Sequence, residues 1–118
     1  MRRLELWLDF SHNMVRMRFE IILTDSALED FKAIPAPVKA SIRDALETHL
    51  RFEPKKISKS RIKRLRDLKQ PEYRLRVDEH RIFYDVLLDE VIVLAIVPKS
   101  LTDVYLEKFG VPSSEEES

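Results

Sequence analysis

Arg74 and Arg76 flank a leucine in the run Tyr73-Arg-Leu-Arg-Val77. Residues two apart on a strand share a face, so this spacing sets two guanidinium groups on one side and Tyr73, Leu75 and Val77 on the other. A guanidinium stays charged, and its planar fork matches phosphate oxygens. The chemistry implied is recognition of a polyanion. The pair closes a basic block: from Arg51 to Arg81 there are twelve Lys or Arg against five acids, an excess of seven positive charges. The remainder of the chain is negative by the same amount, and the net charge is zero. A local field of that sign draws in a polyanion although the whole chain is neutral. Lys55, Lys56, Lys59 and Lys63 belong to this block, where a solvated face is the plain reading and RNA binding the sharper one. His80 adjoins Arg81. An unperturbed histidine titrates near pH ~6.5, so His80 is a candidate acid or base, or else an ordinary turn residue.

Other chemistries are excluded or unsupported. There is no cysteine, hence no disulfide framework and no thiolate. No spaced His/Cys/Asp/Glu set suggests a metal site, and no Ser-His-Asp arrangement is legible. A single glycine, Gly110, rules out a glycine-rich phosphate loop, and no cofactor is expected. No apolar run approaches the ~20 residues of a membrane helix. The expectation is a cytoplasmic protein with no membrane partner and no small-molecule cofactor.

The elements that must position these residues follow from periodicity. Residues 1–16 alternate Leu4, Leu6, Leu8 and Phe10 with polar or aromatic neighbours, which suggests an extended segment. Met14 and Met17 are alternative starts, so 1–16 is an N-terminal extension and a candidate for lying outside the functional domain. A strand is expected at Phe19–Leu23. Thr24 stands where it caps a helix with Ala27, Leu28, Phe31 and Ile34 on its apolar face. Pro35 and Pro37 end that helix and begin a second, carrying Val38, Ile42, Ala45, Leu46 and Leu50. Strands are expected at Ile62–Leu68, Tyr73–Val77, Arg81–Leu88 and Val91–Val97, the last doubly covered. Short linkers at Asp78-Glu79 and Asp89-Glu90 join the final three. Thr102 is expected to cap a short last helix, and residues 110–118 form an acidic, disordered tail. The fold class is α+β: a twisted, mostly antiparallel sheet of about four strands, an N-terminal helix hairpin on one face and a short C-terminal helix.

The stretch from Lys63 to Val86, with Leu65, Tyr73 to Val77, the tight turn, Arg81-Ile82-Phe83-Tyr84, the apolar strand and late Tyr105, resembles the RelE/ParE superfamily of bacterial toxins. The opening Leu23-Thr24-Asp25-Ser26-Ala27 followed by Phe31 is also similar. The resemblance covers about residues 17–109, which it marks as the toxin domain. It implies the toxin of a type II toxin-antitoxin system, silenced by a cognate antitoxin. RelE-branch proteins cut messenger RNA on the ribosome, whereas ParE-branch proteins poison DNA gyrase. The RelE branch is favoured here; a gyrase inhibitor and a degenerate, non-toxic member are the alternatives. Cutting would need no metal, because the 2′-hydroxyl attacks the adjacent phosphorus and fixed cations stabilise the phosphorane. By the resemblance, Arg74, Arg76, Arg81, Lys99 and Tyr105 are the catalytic set. Arg81 and Lys99 would stabilise the phosphorane, Arg74 and Arg76 would position the backbone, and Tyr105 would stack on a base or assist proton transfer. Lys55, Lys56, Lys59 and Lys63 would grip ribosomal RNA. Arginines replace lysines common at the first two positions, which weakens any general-acid role there.

Overall fold

Thr24 turns the chain from strand to helix. In the computed structural model, which describes residues 5–9 and 14–113, its Oγ1 accepts from the Ala27 N–H at 3.2 Å. That satisfies one of the helix's orphan donors. Strand β3 (Glu20–Leu23) precedes it, and α1 (Asp25–Lys32) follows. Helix α2 (Ala36–Ala45) begins with Pro37 in its first turn and runs into a π-helical turn at Leu46–Leu50. The expected face is observed: Ile42, Leu46 and Leu50 are buried.

A five-stranded sheet lies against this helix hairpin, in the order β3-β8-β7-β6-β4. Its other members are β4 (Ile62–Arg64), β6 (Tyr73–Val77), β7 (His80–Leu87) and β8 (Glu90–Pro98). β3 pairs with β8 in parallel; the remaining pairs are antiparallel. Leu75, Ile82, Tyr84, Val91, Val93 and Ile96 join the helix residues in one core. Tyr84 stacks on Tyr73 with ring centroids 5.4 Å apart, and its hydroxyl donates to the Pro54 carbonyl at 2.6 Å. Burial pushes the Tyr84 phenol up, so it remains a donor there.

The α+β class and the mostly antiparallel sheet are as expected, with five strands in place of four. The segment Ile62–Leu68 is divided: β4 ends at Arg64, and β5 (Leu68–Gln70) pairs instead with β9 (Val111–Pro112). Asp67, at φ 64°, lies in the break between them. The doubly buried strand is β7, not β8. It is the middle strand of the five, and Arg81 through Val86 are all buried. Phe83 is therefore buried like Tyr84, on the opposite face. Beyond Val93, β8 has no strand on its outer side. There α1 and its cap supply side chains instead: Thr24 donates to the Leu94 carbonyl, and Asp30 accepts from the Ile96 N–H. The second hairpin turns at Leu88-Asp89, one residue earlier than the acidic pair implied. Helix α3 (Thr102–Phe109) follows a 3₁₀ turn at Lys99–Leu101, and its cap position is Leu101 rather than Thr102.

Strands β1 (Glu5–Asp9) and β2 (Met14–Arg18) pair with each other in a separate two-stranded sheet. At the other end the Ser113 N–H donates to the Asp67 carbonyl. The acidic run Glu115–Glu117 lies outside the described residues. Among the described residues no helix is long and apolar enough to cross a membrane.

Candidate functional site

The alternation in Tyr73–Val77 does what its period requires. Tyr73, Leu75 and Val77 are buried under the helix hairpin, while Arg74 is half-buried and Arg76 exposed on the other face. The antiparallel register then extends this face sideways. Lys63 stands opposite Arg74, and Arg74 opposite Phe83, forming one row across three strands. Arg76 stands directly opposite Arg81, which faces Val97 on β8. The Arg76 N–H donates to the Arg61 carbonyl at 2.9 Å, which brings Arg61 to the end of this second row.

Two like charges placed directly opposite on neighbouring strands destabilise a sheet. Among the described residues, no carboxylate forms a salt bridge with Arg61, Lys63, Arg74, Arg76 or Arg81 to relieve the crowding. Burial pulls the Arg74 guanidinium below its ordinary value, and the charges of Arg81 and Arg76 pull in the same direction. Its Nε is buried without a hydrogen-bond partner. The arrangement concentrates like charge and costs stability.

Arg81 is the most enclosed of the set at 7% exposure. Its Nη1 donates to the carbonyls of Asp78 and His80, both at 2.9 Å, and so ties the β6–β7 turn together. Asp78 occupies the left-handed region at φ 51°, where an aspartate is tolerated without a glycine. Lys99 reaches the same turn from the end of β8: its backbone N–H donates to the Glu79 carbonyl at 2.7 Å, and its side chain is exposed. Tyr105 sits one row away. Its ring stacks on Phe83 at 5.0 Å and meets Phe109 at 5.3 Å. Burial raises its phenol above the ordinary value, and the carboxylates of Asp30 and Asp85 add to that.

The structure thus sets Arg74, Arg76, Arg81 and Lys63 on one sheet face, with Tyr105 stacked on Phe83 beside them and the Lys99 backbone at the Asp78-Glu79 turn. Lys55, Lys56 and Lys59 lie exposed on the loop after the π-helical turn, with Lys56 paired to Glu53 at 3.9 Å. His80 is set apart. It stands opposite Val77, which points into the core, so it faces away from Arg81, and its Nδ1 is buried without a partner. Among the described residues no group of His, Cys, Asp and Glu could hold a metal ion. Arg61 is the member that sequence reading overlooked, although its spacing from Lys63 across buried Ile62 repeats the pattern of Arg74 and Arg76.

The helix hairpin thus lies on one side of the five-stranded sheet and the arginine band on the other. The family model for the ParE toxin of the type II toxin-antitoxin system, parDE, matches residues 21–100, and the chain belongs to that family. Two solved structures share the fold. The chain is similar to one in the RelB-RelE antitoxin-toxin complex from Methanococcus jannaschii: 22% identity and TM-score 0.54, over 71% of this chain and 98% of that one. It is also similar to one in the archaeal RelE-RelB complex from Pyrococcus horikoshii OT3: 20% identity and TM-score 0.54, over 70% and 97%. No curated protein matches the chain.

Proposed function

We propose that this toxin is a metal-independent, ribosome-dependent messenger RNA endoribonuclease that a cognate antitoxin silences. The observation that carries the reading is the pairing of Arg76 directly opposite Arg81, with Arg74 beside them and no carboxylate paired to any of the three among the described residues. Such a cluster suits the extra charge of a phosphorane, where one fixed donor is worth about 2.7–4 kcal/mol of transition-state stabilisation. Arg81 and Lys99, drawn together at the Asp78-Glu79 turn, would stabilise that charge. Arg74 and Arg76 would hold the RNA backbone. The site offers cations and no ready base, since His80 faces elsewhere and Tyr105 is stacked against Phe83. Placing the reaction on the ribosome rests on the resemblance to the RelE branch. The antitoxin is proposed by analogy with the RelB-bound relatives, and acidic residues on it would pair with the exposed arginines.

A second reading, poisoning of DNA gyrase, is favoured by the match to the ParE model and by the packing of Tyr105 between two aromatic rings. Mapping of messenger RNA 5′ ends after brief induction in a bacterium separates the two. Wild type should produce new ends inside translated codons that are absent from Arg76→Ala. Growth arrest with no new ends, together with accumulated gyrase–DNA cleavage complexes, would instead select the second reading.

A further inference from the structure

The basic face has edges, and they define what fits on it. At one end Glu72 and Asp85 follow directly after the Arg74 row, the Glu72 N–H donating to Asp85 Oδ1 at 2.8 Å. Both carboxylates are occupied by backbone or amide donors: Val86 N–H on Glu72, and Gln70 Nε2 on Asp85. A polyanion is repelled from that end. On the β8 side Tyr105 and α3 cover Phe83. The face is open past the Arg76 row, toward the sheet edge at β4, where Arg61 stands.

There a cleft of about 290 Å³ is lined by Ser60, Arg61, Arg76 and Asp78. Its backbone is fixed. Ser58 Oγ accepts from the N–H groups of Arg61 and Ile62 at 3.0 and 3.2 Å, and the Arg61 carbonyl takes the Arg76 N–H. Arg61 also walls two further clefts on the helix side; one sets Asp44 and Asp78 against it, and in the other Glu53 is paired with Lys56, whereas the Arg76 cleft has two arginines to one acid. The Arg74 and Arg76 positions are two residues apart, roughly 6.8 Å along a strand. That is comparable to the step between successive phosphates of an extended single strand.

We propose that Arg61, with Ser60 and Arg76, forms a second phosphate subsite, next to one at Lys63 and Arg74, so that the face holds two consecutive phosphates of a single strand running along β6. Asp78 is the one acid in this cleft. The inference rests on the polyanion reading above and adds a register and a direction to it.

The test is fluorescence anisotropy on the full chain with labelled 2′-O-methyl oligouridylates, which bind without being cut. One probe is a hexamer and the other a dimer with a single phosphodiester. Arg61→Ala changes an exposed side chain and leaves its backbone bonds in place. It should weaken hexamer binding, lower the slope of log K against log salt by roughly 0.7, and weaken the dimer less, because its one phosphate can move to the Lys63–Arg74 subsite. Arg61→Lys should keep the slope, and Lys32→Ala on α1 should match wild type. Wild-type hexamer affinity and slope in Arg61→Ala, while Arg76→Ala binds weakly, would overturn the second subsite alone. Equal loss on dimer and hexamer would overturn it too. If wild type fails to bind, or Arg76→Ala binds like wild type, the polyanion reading falls with it.

Discussion

Arg76 and Arg81 are directly opposed on neighbouring strands, yet they are not equivalent. Arg81 is buried, and its guanidinium closes the turn through two carbonyls. Arg76 is exposed and carries no such bonds. Removing Arg81 takes the charged donor from two part-buried carbonyls, at a cost of about 2 kcal/mol. Removing Arg76 deletes a like-charge neighbour and should change stability by under about 0.5 kcal/mol, in the stabilising direction. Urea denaturation of Arg81→Ala and Arg76→Ala checks both values. An inactive Arg81→Ala protein would therefore say little about catalysis, whereas an inactive and fully folded Arg76→Ala protein would say a good deal. Equal stability loss in the two variants would refute the distinction. In the sequence Arg76 stands out by its period of two, whereas Arg81 enters the set through the family resemblance. What period cannot reveal is which of two opposed arginines the turn has claimed.

Hairpins and helices were legible to different degrees. Thr24, the proline pair and the apolar positions of α2 announce the helix hairpin because each acts within a few residues. The parallel pairing of β3 with β8 is set by how the helix hairpin returns the chain to the sheet, and no local pattern encodes it. The burial of β7 over β8 likewise follows from strand order, although β8 is richer in aliphatic residues. Tyr105's place on Phe83 depends on where α3 comes to rest. The β7–β8 turn shows the same limit, since Leu88 holds φ 52° with a side chain 92% exposed. A leucine there is strained by its Cβ and gains nothing from burial. Leu88→Gly should stabilise the protein by about 1 kcal/mol, raising the urea midpoint with the slope unchanged. A lower midpoint would mean that the exposed leucine has a contact in the folded state that outweighs its strain.

At the scale of the whole molecule, the strands of the described residues fall into three hydrogen-bonded sheets. Among residues 17–113 the buried core runs from Ala27 to Ile96, and the family match spans 21–100. β1 and β2 form a sheet of two strands only, and an isolated hairpin of that kind is marginal in water. The main body takes hold of the chain at Phe19. Its N–H donates to the Arg51 carbonyl at 2.8 Å, Arg51 Nη1 donates back to the Phe19 carbonyl at 2.9 Å, and the ring packs against the core. Arg51 is in turn held by Glu47, whose carboxyl that contact keeps below its usual range. Residues 1–16 hold three arginines and two acids, so removing them leaves the basic block from Arg51 to Arg81 untouched. A chain starting at Met17 should then melt within about 2 °C of the full chain, a shift smaller than 1 kcal/mol produces in a domain of this size. It should also arrest growth to the same extent on induction. A melting point lower by ten degrees would show that the hairpin is part of the folded body. Unchanged melting with lost toxicity would place a target contact on residues 1–16, and the functional boundary would move from Met17 back to the start of the chain.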